Sequence, residues 1–299
     1  MAKEKLFLSA CVSLMVMLLA CNNNDANDST AKDDSTSTTT IAKESQPMKS
    51  IKGSSGYINV DDQGVGGIPV LFVHSFGGNI DHWGAQLIHL RANRRAIAMD
   101  MRGHGMSEAP KDNDYTVQSL ANDISAVVDS LKLDRVVLVG HSMGGSAAIA
   151  YAGTHPGKVA GLVISGTPGK TPVEQAKPIM ASLESDQYDQ VMASYMKQLL
   201  TGAKPTTDSL ETKGVRRISK EASISIIRSV FEYDPLPDLQ KYSGPKLIIG
   251  KTSEDQPNSL HKALPNITYK TIEGTSHWMQ LDDPEAFNVI LDDFLSRVQ

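Results

Sequence analysis

The stretch from Arg135 to Gly145 limits what this chain can fold into more than any other. Val136 to Val139 form an unbroken aliphatic run, the pattern of a short strand buried on both faces. Gly140-His141-Ser142-Met143-Gly144 follows at once, and the helix-forming run from Ser146 to Tyr151 comes next. A strand, one serine on a tight turn and a helix together present the serine hydroxyl at the edge of a sheet. The glycines have a mechanical role there. The serine backbone is strained, and a Cβ at 140 or 144 would strike the adjoining strand or helix. The helix start would aim its free N–H groups at negative charge developing beside Ser142.

The flanking chain repeats this alternation. Runs at Pro69–Val73, Arg95–Asp100 and Val159–Ser165 read as further strands of the sheet, which resumes with Pro245–Gly250 and Ile267–Ile272. Trp83, Leu87 and Leu90 recur at near-helical spacing. Leu120, Ile124, Val127, Val128 and Leu131 give Tyr115–Leu131 one apolar face, and a last helix is predicted from Pro284 to Val298. The stretch Gly56–Val60 with an Asp61–Gly64 turn predicts an opening β-hairpin. Gly64-Val65-Gly66-Gly67 precedes a strand instead of opening a helix, so it reads as a turn and not a phosphate loop. Strands alternating with helices imply an α/β class with a doubly wound, mostly parallel sheet. Residues 169–238 break the pattern: prolines bracket helical stretches and no strand pattern occurs, which predicts a helical cap inserted over the carboxyl edge of the sheet. A chain of 299 residues accommodates one such domain, assigned to 51–299, with its cap.

The N-terminus has a different character. Lys3 and Lys5 precede an apolar run from Leu6 to Ala20, too short for a membrane span and shaped like an export signal, residues 1–20. Leu18-Leu19-Ala20-Cys21 resembles a bacterial lipobox, which implies lipidation of Cys21 and attachment to a membrane of the cell envelope, at the periplasmic face or the cell surface. Residues 21–50, rich in Asn, Asp, Ser and Thr, read as a disordered tether. Both cysteines, Cys11 and Cys21, fall in this region, so neither a disulfide nor a catalytic thiol is expected in the folded part. The net charge of −5, with no basic stripe, argues against a nucleic-acid partner. No metal-ligand spacing or dinucleotide fingerprint occurs, so no cofactor is expected. Twelve methionines and few aromatics predict cavities lined by aliphatic and thioether groups.

Four motifs stand in a fixed order: His74-Ser75-Phe76-Gly77-Gly78, Asp100 to Ser107, the serine turn, and Gly274-Thr275-Ser276-His277-Trp278. Together they resemble the α/β-hydrolase superfamily over residues 51–299. The resemblance implies Ser142 as nucleophile, His277 as its base, and an oxyanion hole from the backbone N–H groups of Phe76 and Met143. A serine hydroxyl needs such a base, and the base needs a carboxylate to hold its tautomer. His141 should point away from the nucleophile, and His74 and His104 should brace loops. Ser75 replaces a glycine that many relatives carry. The acid departs from the usual pattern, because Gly250-Lys251-Thr252-Ser253 places a serine where relatives carry Asp. Asp255 is the expected acid on account of its shorter, stiffer side chain, with Glu254 the runner-up and Asp234 a distant third in an Asx turn. The expected activity is carboxylic-ester hydrolysis of a small or medium substrate. A ligand-sensing protein of the same fold with weak turnover is the alternative, favoured only by the irregular acid. Epoxide hydrolase and haloalkane dehalogenase readings are disfavoured, because those enzymes carry Asp where Ser142 stands. Oligomeric state is left open.

Overall fold

The computed structural model describes residues 48–264 and 266–298. Cys21, the export signal and all but the end of the tether lie outside the described residues; the last tether positions, Lys49 and Ser50, belong to the first strand. Eight strands form one sheet: β1 (Lys49–Lys52), β2 (Tyr57–Gln63), β3 (Val70–Val73), β4 (Ala96–Met99), β5 (Val136–His141), β6 (Val159–Ser165), β7 (Lys246–Gly250) and β8 (Thr268–Thr271). Their spatial order is β1-β2-β4-β3-β5-β6-β7-β8. The pairs β1·β2 and β2·β4 are antiparallel and all others parallel, so a parallel core carries an antiparallel edge.

Every residue of β3, β4, β5 and β6 is buried, because the sheet is covered on both faces. Alternate residues serve opposite cores. Leu71, Val73, Ile97, Met99 and Leu138 meet α2 (Val117–Ser130) and α3 (Met143–Thr154). Val70, Phe72, Ala98, Val137 and Val139 meet α1 (Gly84–Leu90) and α11 (Pro284–Leu295), through Leu87, Phe287 and Leu291, and Trp83 in the turn just before α1. Thr116 caps α2 by accepting the Ser119 N–H, which starts that helix two residues later than its apolar pattern predicts.

The expected opening hairpin is present in altered form. Asp61 and Asp62 lie inside β2, not in a turn, opposite Ala98 and Ile97 of β4. Their carboxylates are held by Arg91, and by Arg95 with Lys49, which makes acidic residues tenable in a strand.

Between β6 and β7 lie α4 (Val173–Leu183), α5 (Tyr188–Leu199), α6 (Pro205–Val215), α7 (Lys220–Glu232) and α8 (Leu236–Lys241). Leu183, Met192 and Ile227 give the first four a small core, joined by Phe76 from the loop after β3. The last of the five, α8, packs on α3 of the main domain, although its first residues fall within the expected cap. After β7 come the short α9 (Leu260–Ala263) and, beyond β8, α10 (Met279–Asp282).

Candidate active site

Ser142 stands between β5 and α3 with φ 52° and ψ −116°, a backbone conformation that L-residues avoid. Its N–H donates to Ser165 O at 2.9 Å. The glycines on either side permit this crowding. A Cβ on Gly140 would lie 2.6 Å from Gly144 O, and one on Gly144 would lie 2.4 Å from both Val73 O and His74 O.

His277 follows β8, and its loop is fixed from two directions. Its backbone N–H donates to Leu199 O at the end of α5, at 3.0 Å. Its carbonyl accepts from His141 Nε2 at 3.0 Å, so His141 braces the His277 loop. Burial and the nearby His277 charge push the His141 ring well below the usual histidine range, leaving it a neutral donor. Across the site, a Cβ on Gly166 would come within 3.0 Å of His277 Cε1 and 3.1 Å of His141 Nε2; Gly166 directly follows the residue that receives the Ser142 N–H.

The carboxylate facing His277 belongs to Glu254. Both of its oxygens lie 3.2 Å from Nδ1. Glu254 ends a 3-10 turn, Thr252–Glu254, that follows β7. Burial pushes this carboxyl up, but His277 and the Lys251 ammonium, 3.3 Å from Oε1, outweigh it and hold the group at about 2. Tyr195 of α5 feels the same charge: burial and then Glu254 push its hydroxyl up to about 12.

Asp255, the acid expected from sequence, is turned elsewhere. It pairs with Lys262 Nζ at 2.8 Å and His261 Nε2 at 3.2 Å, both on α9. The 3-10 turn sends residues 254 and 255 in different directions, and the longer Glu side chain is the one that reaches the imidazole. Asp234 forms the Asx turn anticipated for it, accepting from Leu236 N at 3.1 Å, and pairs with Lys170.

The loop after β3 carries Phe76. His74 Nδ1 donates to Ser75 O at 2.7 Å and its Nε2 accepts from Met101 N at 2.9 Å, a neutral ring that burial lowers to about 4. His104 likewise braces its own loop through Nδ1 to Arg102 O at 2.9 Å. Ser75 has a partner that sequence reading missed, since its Oγ accepts from Trp278 Nε1 at 3.0 Å and ties this loop to that of His277. Met143 is the first residue of α3 and buried, where a helix leaves its N–H groups without intrahelical acceptors. Above the loop, α6 packs so closely that a Cβ on Gly214 would lie 2.1 Å from Gly77 O.

This strand order agrees with what comparison with known proteins returns. The description "alpha/beta hydrolase fold" matches residues 68–213. The chain has the α/β-hydrolase fold. Among solved structures, an esterase from Exiguobacterium antarcticum superposes with a TM-score of 0.71 at 24% identity, covering 83% of this chain and 98% of the other. Among curated proteins, epoxide hydrolase 1 of Caenorhabditis elegans is 26% identical over 271 residues, 77% of this chain and 65% of that one. A 2-hydroxy-6-oxo-2,4-heptadienoate hydrolase of Pseudomonas putida is 38% identical over 114 residues, 37% of this chain and 41% of that one. The chain thus spans less than two thirds of the length of these two curated relatives. Within the α/β-hydrolase fold, the elbow, the histidine loop and the cap of this chain meet at one edge of the sheet.

Proposed function

We propose that the protein is a serine hydrolase that cleaves carboxylic esters of small or medium size through an acyl-enzyme. The observation that carries this reading is the Glu254–His277 contact, with both carboxylate oxygens 3.2 Å from Nδ1, in a chain whose elbow serine is held in strained geometry. In the proposed reaction Ser142 Oγ attacks the ester carbonyl while His277 Nε2 takes its proton. Glu254 keeps the Nδ1 proton in place and stabilises the imidazolium. The N–H groups of Phe76 and Met143 receive the oxyanion. His277 then protonates the departing alkoxide, and water deprotonated by the same nitrogen releases the acid from Ser142.

Three further observations support this choice. The irregular acid position was the feature favouring a ligand sensor, and a carboxylate facing His277, that of Glu254, speaks against that alternative. The residue at the elbow is Ser142 and not the Asp of epoxide hydrolases, despite the likeness to one of them. Phe76 packs against both the sheet core and the cap cluster of Leu183, Met192 and Ile227, which suits an apolar acyl group. The lipobox-like Cys21 and its polar tether are the basis for a second proposal, that the hydrolase is held at a membrane surface by its N-terminus.

Turnover of p-nitrophenyl acetate and butyrate, with fluorophosphonate labelling of wild type and Ser142→Ala, tests the reaction. Ser142→Ala should lose label and turnover, on the order of 10⁶ in kcat. Retention of activity within about tenfold of wild type would exclude the covalent route.

A further inference from the structure

Lys251 follows the last residue of β7 and is only 5% exposed. An ammonium is rarely buried, because leaving water is costly unless it is paired and hydrogen-bonded. Here Nζ donates to Thr275 O at 3.2 Å and stands 3.3 Å from Glu254 Oε1. The neighbouring Thr252 donates its N–H and Oγ1 to Glu273 Oε1, at 3.0 and 2.6 Å. With the Glu254–His277 contact, these make three cross-connections between the loop after β7 and the loop after β8: 251 to 275, 252 to 273, and 254 to 277. Two of the three set a hydroxyl, an amide or an imidazole against a carboxylate. Lys251 instead brings an ammonium, and brings it to the carboxylate that faces His277.

We propose that Lys251 is a positioning residue for the hydrolytic reaction, fixing the Glu254 carboxylate against His277 and offsetting part of that carboxylate's charge. The proposal rests on the triad reading above. A glutamate has one more rotatable bond than the aspartate expected at such a site, so more freedom must be removed to hold its carboxylate in one place. The ammonium removes it by fastening Oε1 while both oxygens keep equal distances to Nδ1. The same charge also acts on the imidazole. A cation beside the carboxylate offsets part of its pull on the imidazolium that forms as Ser142 gives up its proton.

The other titratable groups facing the pair do not supply this charge. Tyr195, from α5, is a neutral phenol at about 12. His141, from the elbow, has its ring 4.8 Å from that of His277 and is held neutral. Glu273, from the loop after β8, is negative and faces Thr252.

The test uses the full chain with Lys251→Met, Lys251→Gln and Lys251→Arg. Gln keeps a donor for Thr275 O without the charge, and serves if Met does not fold; thermal melts identify the folded samples. The readouts are the fluorophosphonate labelling rate of Ser142 and kcat and KM for p-nitrophenyl butyrate, each from pH 5 to 9. Met and Gln should lower kcat by on the order of tenfold with KM held within about twofold. They should also move the acid limb of both profiles up by about half to one pH unit, and Arg should restore most of that displacement. An acid limb that stays in place in folded Met or Gln protein, whatever the loss in rate, assigns Lys251 a structural role and overturns the proposal. If wild type is labelled and active while these variants match it, the triad reading stands and only the Lys251 proposal falls. If folded wild type neither labels nor turns over, the triad reading falls and takes the proposal with it.

Discussion

At the scale of single residues, the cost of holding Ser142 in place is measurable. A side chain at φ 52°, ψ −116° stores on the order of 1–3 kcal/mol. Glycine relieves that strain but adds freedom to the unfolded chain. We expect Ser142→Gly to be more stable than Ser142→Ala by up to about 1 kcal/mol while equally inactive, as thermal melts and ester turnover would show. The acid gives a second comparison. Glu254→Gln should lower kcat by about 10² to 10⁴, whereas Asp255→Asn, whose carboxylate is spent on Lys262 and His261, should change it only a few-fold. Ranked by sequence, the two would be reversed. The elbow and His277 were legible because each sits in a run whose glycines and flanking apolar residues permit one geometry. The acid was not, because three adjacent positions, Ser253, Glu254 and Asp255, differ only in how a 3-10 turn rotates them. Nor could sequence reveal that Ser75 receives Trp278, a partner 203 residues away.

At the scale of elements, two buried ionisable groups govern how α2 and α6 are held. Arg102 grips both Asp123 oxygens, at 2.6 and 2.8 Å, and donates to Asp114 O and Ser119 O at 2.9 Å each. Arg102→Met would leave the Asp123 carboxylate buried without its cation and should destabilise the protein by about 3–5 kcal/mol, measurable in urea. Glu211 of α6 is wholly buried, 3.2 Å from His82 Nε2. Burial, aided by Asp282, raises its carboxyl well above the usual range, while burial lowers His82 to about 3, so the proton resides on Glu211. An acid raised in the folded state contributes stability that is complete below the unfolded value near 4.5 and is lost as pH rises toward the folded one. Glu211→Gln should remove that loss. Between pH 5 and pH 8 the variant's Tm should gain on wild type by about 2–4 °C, the size of about 1 kcal/mol in a domain of this length. Periodicity located the covering helices to within a few residues, since an apolar stripe must face a sheet. It misjudged Asp61 and Asp62, whose turn-like composition is overridden by arginines distant in sequence.

At the scale of the whole molecule, the alternation of apolar runs and helices sufficed to infer a doubly wound sheet, because a strand buried on both faces has few other uses. The extent of the cap was less legible, since α8 differs from the cap helices only in what it packs against. Attachment to a membrane is tested on the intact chain: metabolic labelling with palmitate should mark wild type and not Cys21→Ser, and an unlabelled wild type would exclude lipidation. The insertion between β6 and β7 also donates to and accepts from the loops around His277. Leu199 O receives the His277 N–H, and the Lys204 N–H goes to Asp282 Oδ1 at 2.8 Å, while the other Asp282 oxygen holds Ser276 N at 2.8 Å. The insertion is therefore not an interchangeable cassette. Grafting a foreign cap onto this sheet to change specificity would strip the histidine loop of an acceptor and leave a buried aspartate short of a donor, unless the graft reproduced the carbonyl at 199 and the amide at 204.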